Sequence, residues 1–190
     1  MAEFASWSGK RFQAVAPDGT RSDVGLVAAR QAVRIHRRPG APERALPVVG
    51  DAHVVEFSPA MSLAVDGRTP WGLAEPLGRL RPATTSVRLT EADVDPAGEA
   101  LGRGVLLPAL GRALIIVVRD AARHRWMSDA VARLLRDRPD AVVVEMGVPA
   151  DGATGAADLV THGATKVAGI AAAEAVTGSL MAAEPLRGSG

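Results

Sequence analysis

Arg119, Asp120, Arg123, His124 and Arg125 crowd together directly after an apolar run, Ala113 to Val118. Guanidinium, carboxylate and imidazole groups in such a cluster could hold an anion or the hydroxyls of a sugar. Asp120 and His124 stand four apart, the spacing that brings two side chains together on one helical turn. The same residues also suit a plainer role, which is preferred. A helix start needs a carboxylate for its free amides, and the arginines can stay in water. Glu145 closes a second apolar run, Ala141 to Val144. A lone acid is a weak candidate for general-base work, and a salt bridge to Arg119 on the neighbouring strand is the preferred reading. His162, in Thr161-His162-Gly163, reads as a capping or packing residue before a ligand contact. Together Arg119, Asp120, His124, Glu145 and His162 are the candidate substrate-binding residues.

Other chemistry is missing. His36 and His53 have no partner at metal-ligand spacing, and neither a His-Glu-x-x-His pair nor an acidic calcium loop occurs. No metal is therefore expected, and no cofactor. Gly102-Arg103-Gly104 lacks its third glycine, with Leu107 in that place, so the dinucleotide fingerprint fails. There is no Gly-Lys-Ser/Thr phosphate loop and no Gly-x-Ser-x-Gly elbow. Arg30, Arg34, Arg37 and Arg38 read as a solvated basic helix end.

These residues must be held by elements, and the pattern supplies them. Val24 to Ile35 has helical spacing, with Ser22 or Asp23 as N-cap. His53 to Phe57 and Ser86 to Leu89 read as strands, with Arg11 to Val15 a weaker third. Thr69-Pro70-Trp71 resembles a capped helix start, limited by Pro76. Glu91 to Leu110 is rich in Gly and Pro and reads as a broken helix. Ala113 to Val118 has the continuous apolar character of a strand buried on both faces. An amphipathic helix follows, with Trp126, Met127, Ala130, Val131, Leu134 and Leu135 on one side. Then comes the Ala141 strand, which completes a right-handed βαβ unit. A last helix from Ala164 to Val176 stops at Gly178. The expected fold is α/β, a mostly parallel sheet flanked by helices in a flavodoxin-like three-layer α/β/α sandwich. In such sheets, ligands meet the carboxyl ends of the strands. That rule nominates Glu56, Ser58, Arg119, Asp120 and residues 145–149.

Composition narrows the classes. The 190 residues suit one domain, and 47% hydrophobic against 23% charged residues allows an ordinary core. The absence of cysteine excludes disulfides and thiolate catalysis. A formal charge of +1 gives no general attraction to nucleic acid or to anionic membrane, and no apolar run approaches a membrane span. Met1-Ala2-Glu3-Phe4 is not the start of a signal peptide, so a cytoplasmic location is expected. Three tryptophans and three phenylalanines leave few aromatic faces for stacking on sugars.

Arg119-Asp-Ala-Ala-Arg-His-Arg-Trp126, with the strand before it, resembles the Arg-Asp-Ala-x-Arg-His-x-Trp segment of the C-terminal domain of family 3 glycoside hydrolases. Within that family it looks most like the bacterial β-N-acetylhexosaminidase branch. The similarity continues through Arg138-Pro-Asp-Ala-Val-Val-Val-Glu-Met-Gly-Val-Pro149 and Thr161-His-Gly-Ala164, where the family tends to have Thr-Tyr-Gly-Ala. Val54-Val-Glu-Phe57 and Pro70-Trp-Gly-Leu-Ala74 extend it upstream.

The resemblance implies an accessory domain at residues 23–178, between an arm or linker remnant at 1–22 and a tail at 179–190. In the family, a (β/α)8 barrel carries the catalytic aspartate and the Asp–His acid/base pair. A chain of this length cannot hold that barrel as well, so no catalytic residue carries over. The expected partner is a catalytic barrel in the same or another chain, with an amino-sugar glycoside as a candidate contact. Self-association stays open. Two other readings also stay open: a free-standing enzyme using Asp120, His124 and Glu145, and a non-catalytic protein-interaction domain.

Overall fold

The computed structural model describes residues 19–40, 45–59, 71–95, 97–149 and 154–182. In chain order these form α1 (Gly19–Ala32), β1 (Arg34–Arg37), β2 (Ala52–Phe57), α2 (Ala74–Leu80) and β3 (Thr85–Leu89). A 3-10 turn at Glu91–Asp93 leads to α3 (Glu99–Leu101), which runs on as a π turn at Gly102–Leu106. Then follow β4 (Ala113–Val118), α4 (Arg125–Asp137), β5 (Val142–Glu145), β6 (Ala157–Val160), α5 (Lys166–Thr177) and α6 (Ser179–Ala182). The six strands make one sheet in the order β1-β6-β5-β4-β2-β3. Only β1 runs antiparallel to its neighbour.

Both faces of the sheet carry helices. On one, Val54, Ile115, Val117, Val142, Val144 and Leu159 pack against Leu77 of α2 and the alanines of α5. On the other, Val55, Phe57, Leu114, Ile116 and Val118 meet Leu101 and Val105 of the broken helix and Met127, Ala130 and Leu134 of α4. Phe57 and Trp126 pack edge to face at 6.0 Å. This is the expected three-layer sandwich. The small side chains of α5 permit close approach: a Cβ on Gly169 would collide with the carbonyl of Gly72.

Several local expectations are corrected. The helix read through Ile35 ends at Ala32. Ile35 belongs instead to an edge strand whose four residues are all exposed, so β1 carries none of the alternation that reveals a half-buried strand. Ser22 and Asp23 lie inside α1 rather than at its cap. The strand β6 escaped the pattern because Asp158 interrupts its apolar run. Ser179–Ala182 forms a helical turn, not part of a frayed tail. Pro76 does not disturb α2, because it sits in the first turn, where no amide donor is needed. The Arg11–Val15 strand and the Thr69-Pro70 cap lie outside the described residues.

Candidate functional site

Glu145, the last residue of β5, organises the carboxyl ends of the central strands. It is buried, and its Oε1 accepts the backbone amides of Asp120 at 2.8 Å and Gly147 at 2.6 Å. Oε2 accepts Ala121 N at 3.2 Å. The expected salt bridge to Arg119 is absent: Arg119 Nε lies 4.0 Å from Asp120 Oδ2 instead. Three amides bind the carboxylate, which suits the charged form. Burial nevertheless raises the Glu145 carboxyl above its ordinary value, and the nearby charge of Asp120 adds to the rise.

Asp120 shows how tightly this rim is bound. Its backbone is left-handed, with φ 55°, a conformation that non-glycine residues adopt at a cost. Its amide is held by Glu145, and its Oδ1 accepts Val148 N at 2.9 Å. Gly147 admits this arrangement, because a Cβ there would collide with the Asp120 carboxylate. The loops after β4 and β5 are therefore cross-tied, side chain to backbone in both directions. Asp120 does not cap the turn that follows it, as expected, but serves the neighbouring loop. A 3-10 turn at Ala121–Arg123 then leads to His124, whose extended backbone starts α4. Asp120 and His124 do not meet on a helical turn, and no hydrogen bond joins them. Past β6, His162 is exposed and also left-handed, with φ 55°. Thr165, not His162, caps α5 by accepting Ala168 N at 3.2 Å. Arg119 and Asp120 thus follow β4, His124 starts α4, His162 follows β6, and Glu145 closes β5 beneath the Asp120 amide.

Two arrangements were not visible from spacing. Glu56 near the end of β2 is buried and accepts Leu73 N at 2.8 Å and Ala74 N at 2.9 Å, at the start of α2. Arg88 of β3 binds its other oxygen with two nitrogens and lies over the Trp71 ring at 5.1 Å. The signal was an acid inside an otherwise apolar strand. The second arrangement is a cleft of about 540 Å³ between α4 and the β5–β6–β1 side of the sheet. Glu145, Asp158 and His36 line it beside Val131, Leu135, Val143 and Val160. Asp158 accepts Thr154 N and Gly155 N, both at 2.7 Å.

Among the described residues no cluster of His, Cys, Asp or Glu could hold a metal ion. None of the described helices is long and apolar enough to cross a membrane. No family model and no curated protein matches the chain. Solved structures do match. A glycoside hydrolase family 3 β-N-acetylglucosaminidase from Paenibacillus sp. str. FPU-7 aligns over 93% of this chain, with TM-score 0.68 and 14% identity. A β-glucosidase involved in saponin metabolism from intestinal bacteria aligns over 86%, with TM-score 0.51 and 17% identity. The chain shares their fold. It spans about a third of their length, 34% of the first and 32% of the second.

Proposed function

We propose that this chain is a non-catalytic α/β domain of the family 3 glycoside hydrolase type, close to the β-N-acetylhexosaminidase branch. It packs on a catalytic (β/α)8 barrel supplied by the same or another chain. Its rim presents Arg119, Asp120, His124 and His162 toward the shared boundary, where they contact an amino-sugar glycoside. The observation that carries this reading is the extent of the fold match: nearly all of this chain, but a third of a β-N-acetylglucosaminidase.

The rim is consistent with a supporting role. Glycoside hydrolysis by two carboxylates needs both groups free across one sugar, roughly 5 to 9.5 Å apart. Glu145 spends its oxygens on three amides, and Glu56 on two amides and an arginine. Both hold loops, and neither is free to act across a sugar at the rim. Left-handed Asp120 is tied by Glu145 and Val148, and His162 is left-handed and exposed; conformations of that kind concentrate at contact sites.

The test is incubation of the purified chain with a chromogenic N-acetylglucosaminide. No turnover is expected. Turnover lost on Asp120→Ala or Glu145→Ala would overturn the reading in favour of a free-standing enzyme, the alternative that the raised Glu145 carboxyl favours. Titration with N-acetylglucosamine, followed by amide NMR shifts, is expected to perturb residues 119–124 and 145–149. Silence there would leave a protein-contact role without sugar affinity.

A further inference from the structure

The cleft beside α4 has a topological origin. Crossovers between neighbouring parallel strands are right-handed. The β4–β5 and β5–β6 connections step across the sheet in the same direction, so both belong on the side that α4 covers. Pro149 and Thr154, from the β5–β6 connection, do line the cleft there. Yet that connection spans only residues 146–156, short for a crossover that carries a helix. Among the described residues, the layer that α4 begins is not continued over β5, β6 and β1. The remaining space, about 540 Å³, falls within the 300–1,000 Å³ range of small-ligand pockets.

Its chemistry is unusual for an apolar space. Glu145 and Asp158 are each only 7% exposed. Among the described residues no basic side chain pairs with either. Asp158 is satisfied at both oxygens by Thr154 and Gly155. Glu145 Oε2 accepts only the 3.2 Å amide of Ala121 and is the carboxylate oxygen with most spare capacity. Two buried carboxyl groups beside valine and leucine side chains, with His36 exposed opposite Asp158 on β1, favour a ligand that is itself apolar and positive.

We propose that this cleft binds a small amphiphilic cation, an ammonium whose apolar body lies against Val131, Leu135, Val143 and Val160 and whose head bonds Glu145 Oε2. Asp158 supplies the second negative charge. The ligand is of a different class from the sugar assigned to the rim above it.

The test titrates the full chain, isotope-labelled for NMR, with phenethylamine. Parallel titrations use 2-phenylethanol and phenylacetate, which match it in size and differ in charge. The amine is expected to shift amides along the cleft, and to bind at least about tenfold more tightly than the alcohol, as a charge-assisted hydrogen bond implies. Phenylacetate is expected not to bind. A carbon-13 titration of the Glu145 carboxyl is expected to show its pKa falling when the amine is present. Ala132→Phe fills the cleft from an exposed position on α4. It should abolish the amine-induced shifts while the spectrum keeps its dispersion. Equal affinity for amine and alcohol, shifts that map elsewhere, no saturable shift, or unchanged binding by Ala132→Phe would each overturn the proposal.

Discussion

Glu56 and Glu145 occupy similar places on either side of β4. Each lies at the carboxyl end of a parallel strand, each is buried, and each receives backbone amides from an adjoining loop. They differ in the strand beyond. β2 neighbours the edge strand β3, from which Arg88 can keep about half of its side chain in water and still reach Glu56. β5 lies between β4 and β6 and has no such cation at hand, so Glu145 is balanced by amides alone and adjoins the cleft. The same residue type near the ends of two strands flanking β4 thus becomes a closed ion pair in one case and a carboxylate held by amides alone in the other. Lateral position and face together make the difference: Glu56 stands in register with Val117 and Glu145 with Val118, so the two side chains lie on opposite faces of the sheet.

The most direct way to break this comparison is a matched pair of substitutions. Glu56→Gln turns an NH2 group toward Arg88 and should cost about 3 kcal/mol. That is the low end for disrupting a buried pair, because Arg88 is half exposed. Glu145→Gln keeps an oxygen for the Asp120 and Gly147 amides and should cost about 1 kcal/mol. Urea denaturation measures both, and equal or reversed values would remove the distinction.

Next in size is Gly147→Ala. The added methyl meets the Asp120 carboxylate and should destabilise the fold by about 2 kcal/mol, as overpacking does. A matching change at Gly25, which has open space around it, serves as control. Asp120→Ala loses both the bond to Val148 and a residue tolerant of positive φ, a cost of about 1 to 2 kcal/mol. Asp120→Asn keeps both features and should stay within about 0.5 kcal/mol of the parent in the same assay.

The last test is one of sign. The Glu145 carboxyl is raised by burial in the folded chain, so the fold binds that proton more tightly than the unfolded chain does. Its stabilising contribution is full below the ordinary glutamate range and is lost as pH rises through the raised value. His53 behaves oppositely. Burial lowers its pKa, and its ring joins Thr85 Oγ1 at 2.8 Å to the Gly104 carbonyl at 3.2 Å. Its contribution is present above the usual histidine pKa near 6.5 and is lost as pH falls below it. Stability-versus-pH curves of Glu145→Gln and His53→Gln should each lack the corresponding limb.

Legibility followed unbroken apolar character. β4 and α4 could be read from the chain because continuous apolar runs and a one-sided helical stripe directly encode contact with a core. β1 is exposed throughout and β6 is interrupted by Asp158, so neither carries a period to read. The candidate residues were found because charged groups at the ends of apolar strands stand out. Their partners were not found, because a side chain that binds a backbone amide leaves no mark on the residue that supplies the amide. Val148 and Ala121 could be any residue type but proline and donate equally well.

The order of apolar and polar residues by itself determined that this chain builds a mostly parallel α/β sheet and that Arg119, Asp120 and Glu145 stand at strand ends. Both are consequences of local period and of where apolar runs stop. Only the tertiary structure decided that Glu145 binds amides instead of Arg119, that Asp120 serves the loop beside its own, and that a cleft opens next to α4. Those outcomes depend on strand order and on the length of one crossover. Such properties arise when distant segments are brought side by side, and no window of neighbouring residues contains them.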